Sequence, residues 1–150
     1  MLAGYCATRP DDHGVCEAGG QIRDDRPDLQ PTSDPRIRAY AVMAPLSVLF
    51  SGAGLAGVGA PFLIFVAGDD HQLSPAENSL ALAKALPQGA DLETIGKADH
   101  FVFLAPCSAQ LTRSMPALCT DPAGIDRKTI HAEINRKISN FFAASLPPAQ

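Results

Sequence analysis

The chain is predicted to fold as α/β, with a parallel sheet of about three strands, flanking helices and a loop-rich N-terminal segment. Three observations carry this. The run Pro61-Phe62-Leu63-Ile64-Phe65-Val66-Ala67 is apolar without alternation and stops at Gly68. Such a run suits a strand covered on both faces, as in a parallel sheet. A helical pattern and then an alternating stretch follow it, which is the strand–helix–strand order of a parallel crossover.

The elements follow in order. Met1 to Tyr5 suit the tail of a helix. Residues 6–35 read as loop, punctuated by Arg9-Pro10, Gly19-Gly20 and Pro31 to Pro35. Residues 36–43 become apolar toward Met43 and stop at Ala44-Pro45, so a buried strand is expected there. Residues 46–59 are short, apolar and Gly-rich, a loop with room for one helical turn. The strand at 61–67 comes next. Residues 76–86 place Leu80, Leu82, Ala83 and Leu86 at helical spacing with Pro87 just beyond, so they predict an amphipathic helix. Residues 90–95 alternate and predict another strand. After a loop, Ile130, Ile134, Ile138, Phe141 and Phe142 line one face of a C-terminal helix, with Asp126 as N-cap and Pro147-Pro148 as stop.

The length of 150 residues suits one domain, and 46% hydrophobic against 19% charged residues is enough for a sizeable core. Residues 1–35 hold three basic and seven acidic residues and so carry the whole net charge of −4. That balance argues against nucleic-acid binding, which rests on basic contacts to phosphates. It also argues against a polybasic membrane surface. No transmembrane span is expected, because Pro45, Pro61 and several glycines cut the longest weakly polar stretch. The organisation expected is a polar segment (1–35), a folded part (36–146) and a short tail (147–150).

Four cysteines fall in two local pairs, Cys6/Cys16 and Cys107/Cys119, neither with zinc or redox-dithiol spacing. Each pair flanks a polar loop and is expected to close it as a disulfide, worth about 3 kcal/mol in the chain-entropy model. The alternative is four buried free thiols. Disulfides would place the protein in a periplasmic or secreted setting. No basic region followed by an apolar one marks a signal peptide at Met1, so either the chain is cytosolic or it starts inside a longer product.

Two motifs carry chemistry. Gly52-Ala53-Gly54-Leu55-Ala56-Gly57 matches the dinucleotide-binding glycine pattern, but only Val58-Gly59-Ala60 separate it from Pro61. The long helix that would point its N-terminus at a pyrophosphate has no room, so this reading is the least favoured. The second is Gly68-Asp69-Asp70 at one strand end and Asp99-His100-Phe101 after the next. Strand ends joined by one crossover lie side by side, so a carboxylate can orient the His100 imidazole for general-base work. The alternative is a helix-capping aspartate and a surface histidine.

A family resemblance enters on these residues. Phe62 to Asp70, Leu73-Ser74-Pro75-Ala76-Glu77-Asn78, Leu86-Pro87 and above all His100-Phe101-Val102-Phe103-Leu104-Ala105-Pro106-Cys107, then Cys119 and Asp121 to Arg127, resemble the C-terminal half of α/β-hydrolases of the dienelactone hydrolase type, in their platelet-activating-factor acetylhydrolase-like branch. The resemblance covers about residues 36–146. It implies a Ser-Asp-His triad acting on a small-molecule ester or lactone, with no cofactor. Asp70 and His100 match the acid and the base. Register measured back from Pro75 and Asn78 favours Asp70 over Asp69, and His71 is expected to be exposed. No Gly-x-Ser-x-Gly is present, and Ser33, Ser47 and Ser51 lie in loops of another kind. The chain alone is therefore expected to be inactive. The alternative is a non-catalytic binding or regulatory module derived from a hydrolase. The strand edge near Ile37 to Met43, where the nucleophile strand pairs in that fold, is expected to be open and prone to self-association.

Overall fold

The computed structural model describes residues 34–48, 50 and 52–146, together with Cys6, Ala7, Thr8, Pro10, Asp11, His13, Cys16, Glu17, Gln21 and Asp28. The expectations for Met1 to Tyr5 and for Pro147-Pro148 fall outside these residues. Among the described residues a three-stranded parallel sheet has the order β1 (Tyr40–Met43), β2 (Phe62–Ala67), β3 (Asp91–Ile95). Between β1 and β2 lies α1 (Gly52–Leu55), and between β2 and β3 lies α2 (Ser79–Ala85). A 3₁₀ turn (His100–Phe103), α3 (Ala109–Ser114), α4 (Pro116–Cys119) and α5 (Arg127–Ser145) follow β3. No helix among the described residues is long and apolar enough to cross a membrane.

The central strand accounts for the layers. All six residues of β2 are buried. Phe62, Ile64 and Val66 pack with Leu55 of α1 and with Leu82 and Leu86 at α2. Leu63 and Phe65 face the other way, onto Ile130, Ile134, Ile138 and Phe141 of α5. Alternation along a strand sends neighbours to opposite faces, so an unbroken apolar run needs helices on both. Phe142 is half-buried but stands outside that α5 cluster. Tyr40 and Phe62 are register partners, and their rings stack with centroids 4.4 Å apart.

Several elements differ from expectation. The strand at 36–43 is shorter than expected and half-buried rather than buried, with Met43 exposed, and it lies at the edge of the sheet among the described residues, where an open edge was expected. The N–H groups of Tyr40 and Ala44 bond Pro61 and Phe65 of the β2 segment at 2.9 Å. Alternation therefore turns the peptide groups of Ala41 and Met43 outward, where no strand pairs with them among the described residues. Helix α2 begins three residues later than predicted. A turn comes first, in which the Glu77 and Asn78 amides reach the Ser74 carbonyl. The buried Asn78 side chain leaves its helix uncapped and instead accepts from the amides of Ser47 (3.0 Å) and Val48 (3.4 Å), tying the β1–α1 loop down.

The loop predicted after His100 contains α3 and α4. Their local signals are the Ser108 cap, whose hydroxyl accepts from the Leu111 amide, and Pro116 at the first turn of α4. Within 6–35, residues 6–8 and 16–17 are helical rather than loop. The glycines from Gly52 form one helical turn eight residues beyond β1, so no phosphate-facing helix follows a strand there.

Both cysteine pairs are disulfides, Cys6–Cys16 and Cys107–Cys119. The second closes the α3–α4 excursion. Arg127, 6% exposed at the start of α5, anchors the same excursion through a two-nitrogen contact to Asp121 and a bond from Nη2 to the Leu118 carbonyl. Asp126 caps α5, accepting from the Lys128 amide. Farther along α5, Lys137 bonds Glu93 of β3, which lifts the lysine pKa above its ordinary value.

Ile134 is the α5 residue buried deepest against β2. Ile134→Ala is expected to lower unfolding stability by about 2–5 kcal/mol through lost burial and a residual cavity. Leu111→Ala, at an exposed position, should change it by no more than about 0.5 kcal/mol. Equilibrium denaturation of the two variants checks this, and equal losses would refute the assignment of the core.

Candidate active site

The parallel strands end together, and the site sits just beyond their carboxyl ends. The Gly68 amide bonds the Ile95 carbonyl (2.9 Å) and the Asp69 amide bonds the Ala98 carbonyl (3.0 Å), carrying the β2–β3 pairing past the last ladder residues. A Cβ at Gly68 would lie 3.1 Å from the Ile95 oxygen and 3.2 Å from the Gly96 Cα. Backbone on that side leaves little room, so glycine permits the close approach of the two chain segments.

That approach places Asp70 and His100 together. His100 Nδ1 is 2.9 Å from Asp70 Oδ2. The Asp70 side chain is 2% exposed and the His100 side chain 25%. The other carboxylate oxygen, Oδ1, accepts from the amides of Gln72 (2.9 Å) and Leu73 (2.7 Å). Three donors thus satisfy a buried carboxylate that would otherwise be costly to bury. A carboxylate can only accept, so Nδ1 carries the proton in this contact and Nε2 is left with its lone pair. Nε2 makes no hydrogen bond among the described residues. Asp69, the alternative partner, is exposed and reaches Ala98 through its backbone.

The 3₁₀ turn that presents His100 is held from behind. Val102 is fully buried, and its carbonyl accepts from His131 Nε2 of α5 at 2.7 Å. The Phe101 ring meets the His100 ring edge-on, with centroids 5.4 Å apart. Asp99 caps the turn. Its Oδ1 accepts from the amides of His100 (2.7 Å) and His71 (2.9 Å), and its Oδ2 lies 3.2 Å from His71 Nδ1. Sequence reading left Asp99 without a role. The available signal was its position directly before a histidine that opens a turn, a preferred place for a capping aspartate. The His71 side chain is 76% exposed and pairs with Asp99, not with Asp70 or His100.

The arrangement gives an imidazole with a fixed tautomer and an open second nitrogen. It can take and return a proton at Nε2 while Asp70 stabilises the imidazolium. Among the described residues no serine hydroxyl bonds His100. Ser47 Oγ is given to the Asn78 carbonyl, and Ser33 and Ser51 lie outside the described residues. No group of three or more metal-ligating side chains forms among them either. A cleft of about 270 Å³ between β3 and α5 is lined by residues such as Phe65, Ile95 and Ile130, and includes neither Asp70 nor His100.

Partial burial of Asp99 works to raise its pKa, but the His71 and His100 amides and the His71 imidazole outweigh it and hold the carboxyl below the ordinary aspartate value. As pH falls, the unfolded chain then takes up this proton first. The stability Asp99 contributes is present above the unfolded aspartate pKa, about 3.9, and is lost as pH falls through the lower folded value. Denaturation at a series of pH values should show the gap between wild type and Asp99→Asn at its widest near neutrality and closing below about pH 4. A gap that widens on acidification would contradict it. Comparison of the chain with family models, curated proteins and solved structures finds no match in any of the three.

Proposed function

We propose that the chain carries the acid–base half of an ester or lactone hydrolase. Asp70 orients His100, and His100 Nε2 is the proton acceptor for a serine nucleophile that the chain itself does not contain. The observation that carries this is the 2.9 Å contact between a buried, doubly amide-bonded carboxylate and Nδ1 of a partly exposed imidazole. A histidine that only capped a surface turn would need no buried carboxylate on its ring. In such a reaction the serine oxygen attacks the carbonyl while its proton moves to His100 Nε2. The proton then passes to the leaving alcohol, and water repeats the sequence to release the acid.

One observation favours a second reading. No serine hydroxyl among the described residues bonds His100, as expected of a binding or regulatory module derived from a hydrolase. The coding frame upstream of Met1 separates the two. An in-frame Gly-x-Ser-x-Gly there, joined to this chain, should give a product that hydrolyses p-nitrophenyl acetate. In that product His100→Ala should lower kcat by about 10³- to 10⁴-fold or more. A frame without such a motif, or a His100→Ala product of full activity, would favour the module.

The outward peptide groups of Ala41 and Met43, with the exposed Ile37 and Met43 beside them, leave β1 an edge that no described strand covers, flanked by the exposed Arg36 and Arg38. The reading includes self-association of the isolated chain there, since such an edge templates pairing. The 150-residue chain by itself should hydrolyse p-nitrophenyl acetate no faster than His100→Ala does, because its sequence has no Gly-x-Ser-x-Gly and no serine among the described residues bonds His100. It should also scatter light as more than a monomer at high concentration. A His100-dependent rate, or a monodisperse monomer, would each overturn the corresponding statement.

A further inference from the structure

We propose that Asp99 is a positioning residue for the Asp70–His100 couple, gathering the loop behind Asp70 and the turn that starts at His100 onto a single carboxylate oxygen. The inference rests on the reading of that couple as a proton relay. The two amides on Asp99 Oδ1 belong to His71, the residue directly after Asp70, and to His100 itself. One atom therefore sets the spacing of the two backbone segments from which the couple's side chains spring. One step earlier, the bond from the Asp69 amide to the Ala98 carbonyl holds the same segments. Beyond it the strand ladder has ended, and Asp99 continues the clamp.

The second oxygen bears on which acid the His100 ring selects. Asp99 is adjacent in the chain to His100, and its carboxylate is a rival acceptor for Nδ1. Two amides occupy Oδ1, and the His71 imidazole faces Oδ2 at 3.2 Å. The His100 ring is left to Asp70, whose own Oδ1 is filled by Gln72 and Leu73. His71 is thus a latch on Asp99, which accounts for a histidine that lies beside the couple and contacts neither member of it.

The test is proton and nitrogen NMR of the folded 150-residue chain. A His100 Nδ1–H held by a carboxylate gives an imidazole proton resonance far downfield, assigned by its loss in His100→Gln and Asp70→Ala. Asp99→Ala should lose or broaden that resonance. Asp99→Asn should keep it, because the amide oxygen can still accept both N–H groups. In the wild-type chain the His71 and His100 amides should both be protected from hydrogen exchange, a measurement that does not require Asp99→Ala to fold. Absence of the downfield resonance in wild type overturns the Asp70–His100 reading. A resonance that survives unchanged in Asp99→Ala, or exchange of both amides at the rate of free ones, overturns the role of Asp99 alone.

Discussion

Everything in this molecule hangs on the complete burial of β2. A strand whose six residues are all removed from water needs a layer on each face, and the chain provides α1 and α2 on one and α5 on the other. It also needs hydrogen-bonded neighbours along both edges, which β1 and β3 provide in parallel register. Parallel pairing sends all three strands out at the same end. The loops after β2 and β3 must then meet, and Gly68 lets them do so at close to van der Waals contact.

The meeting place holds two carboxylates with different tasks. Asp70 is almost fully buried and spends its oxygens on two amides and one imidazole. Asp99 is more exposed and spends one oxygen on amides from two separate loops. The first holds a ring and the second holds backbone. His131 adds a third support by taking the Val102 carbonyl from the far side of the turn, so α5 contributes both to the core and to the seating of His100. The Cys107–Cys119 disulfide and the Arg127–Asp121 contact return the chain from that turn to the start of α5.

What was legible in the sequence was whatever rests on long or unbroken patterns. The run Phe62 to Ala67 announced its own burial, and the isoleucine spacing from Ile130 announced α5. Both cysteine pairs were found by their loop-flanking positions, and the strand ends put the Asp69-Asp70 pair beside His100 without choosing between them. What was hidden depends on long-range partners or on single turns. The half-burial of β1 depends on what packs beside it, which the apolar run Tyr40 to Met43 cannot express. Asn78 falls inside the predicted helix 76–86, but its side chain serves Ser47 and Val48 about thirty residues away. Helices as short as α3 and α4 have too few residues for periodicity to register, so only Ser108 and Pro116 hinted at them. The capping place of Asp99 before His100 is a local signal, but its second amide comes from His71, twenty-eight residues away, and no local pattern records that.

The hydrogen bonds on the two carboxylates, Asp70 and Asp99, all come from residues between Asp70 and His100, which are separated by only thirty residues. In kinetic terms this is a low-contact-order event. Loop-closure entropy grows only as the logarithm of loop length, about 0.6 kcal/mol for each doubling, so joining the ends of a single strand–helix–strand crossover is among the least demanding closures in a parallel sheet. The hydrogen bonds that join Asp70, Asp99 and His100 are therefore local in the chain, while α5 seats the His100 turn from outside that stretch through His131 and the Val102 carbonyl. The Asp70–His100 contact is thus closed by one crossover and steadied by one helix that follows it in the chain.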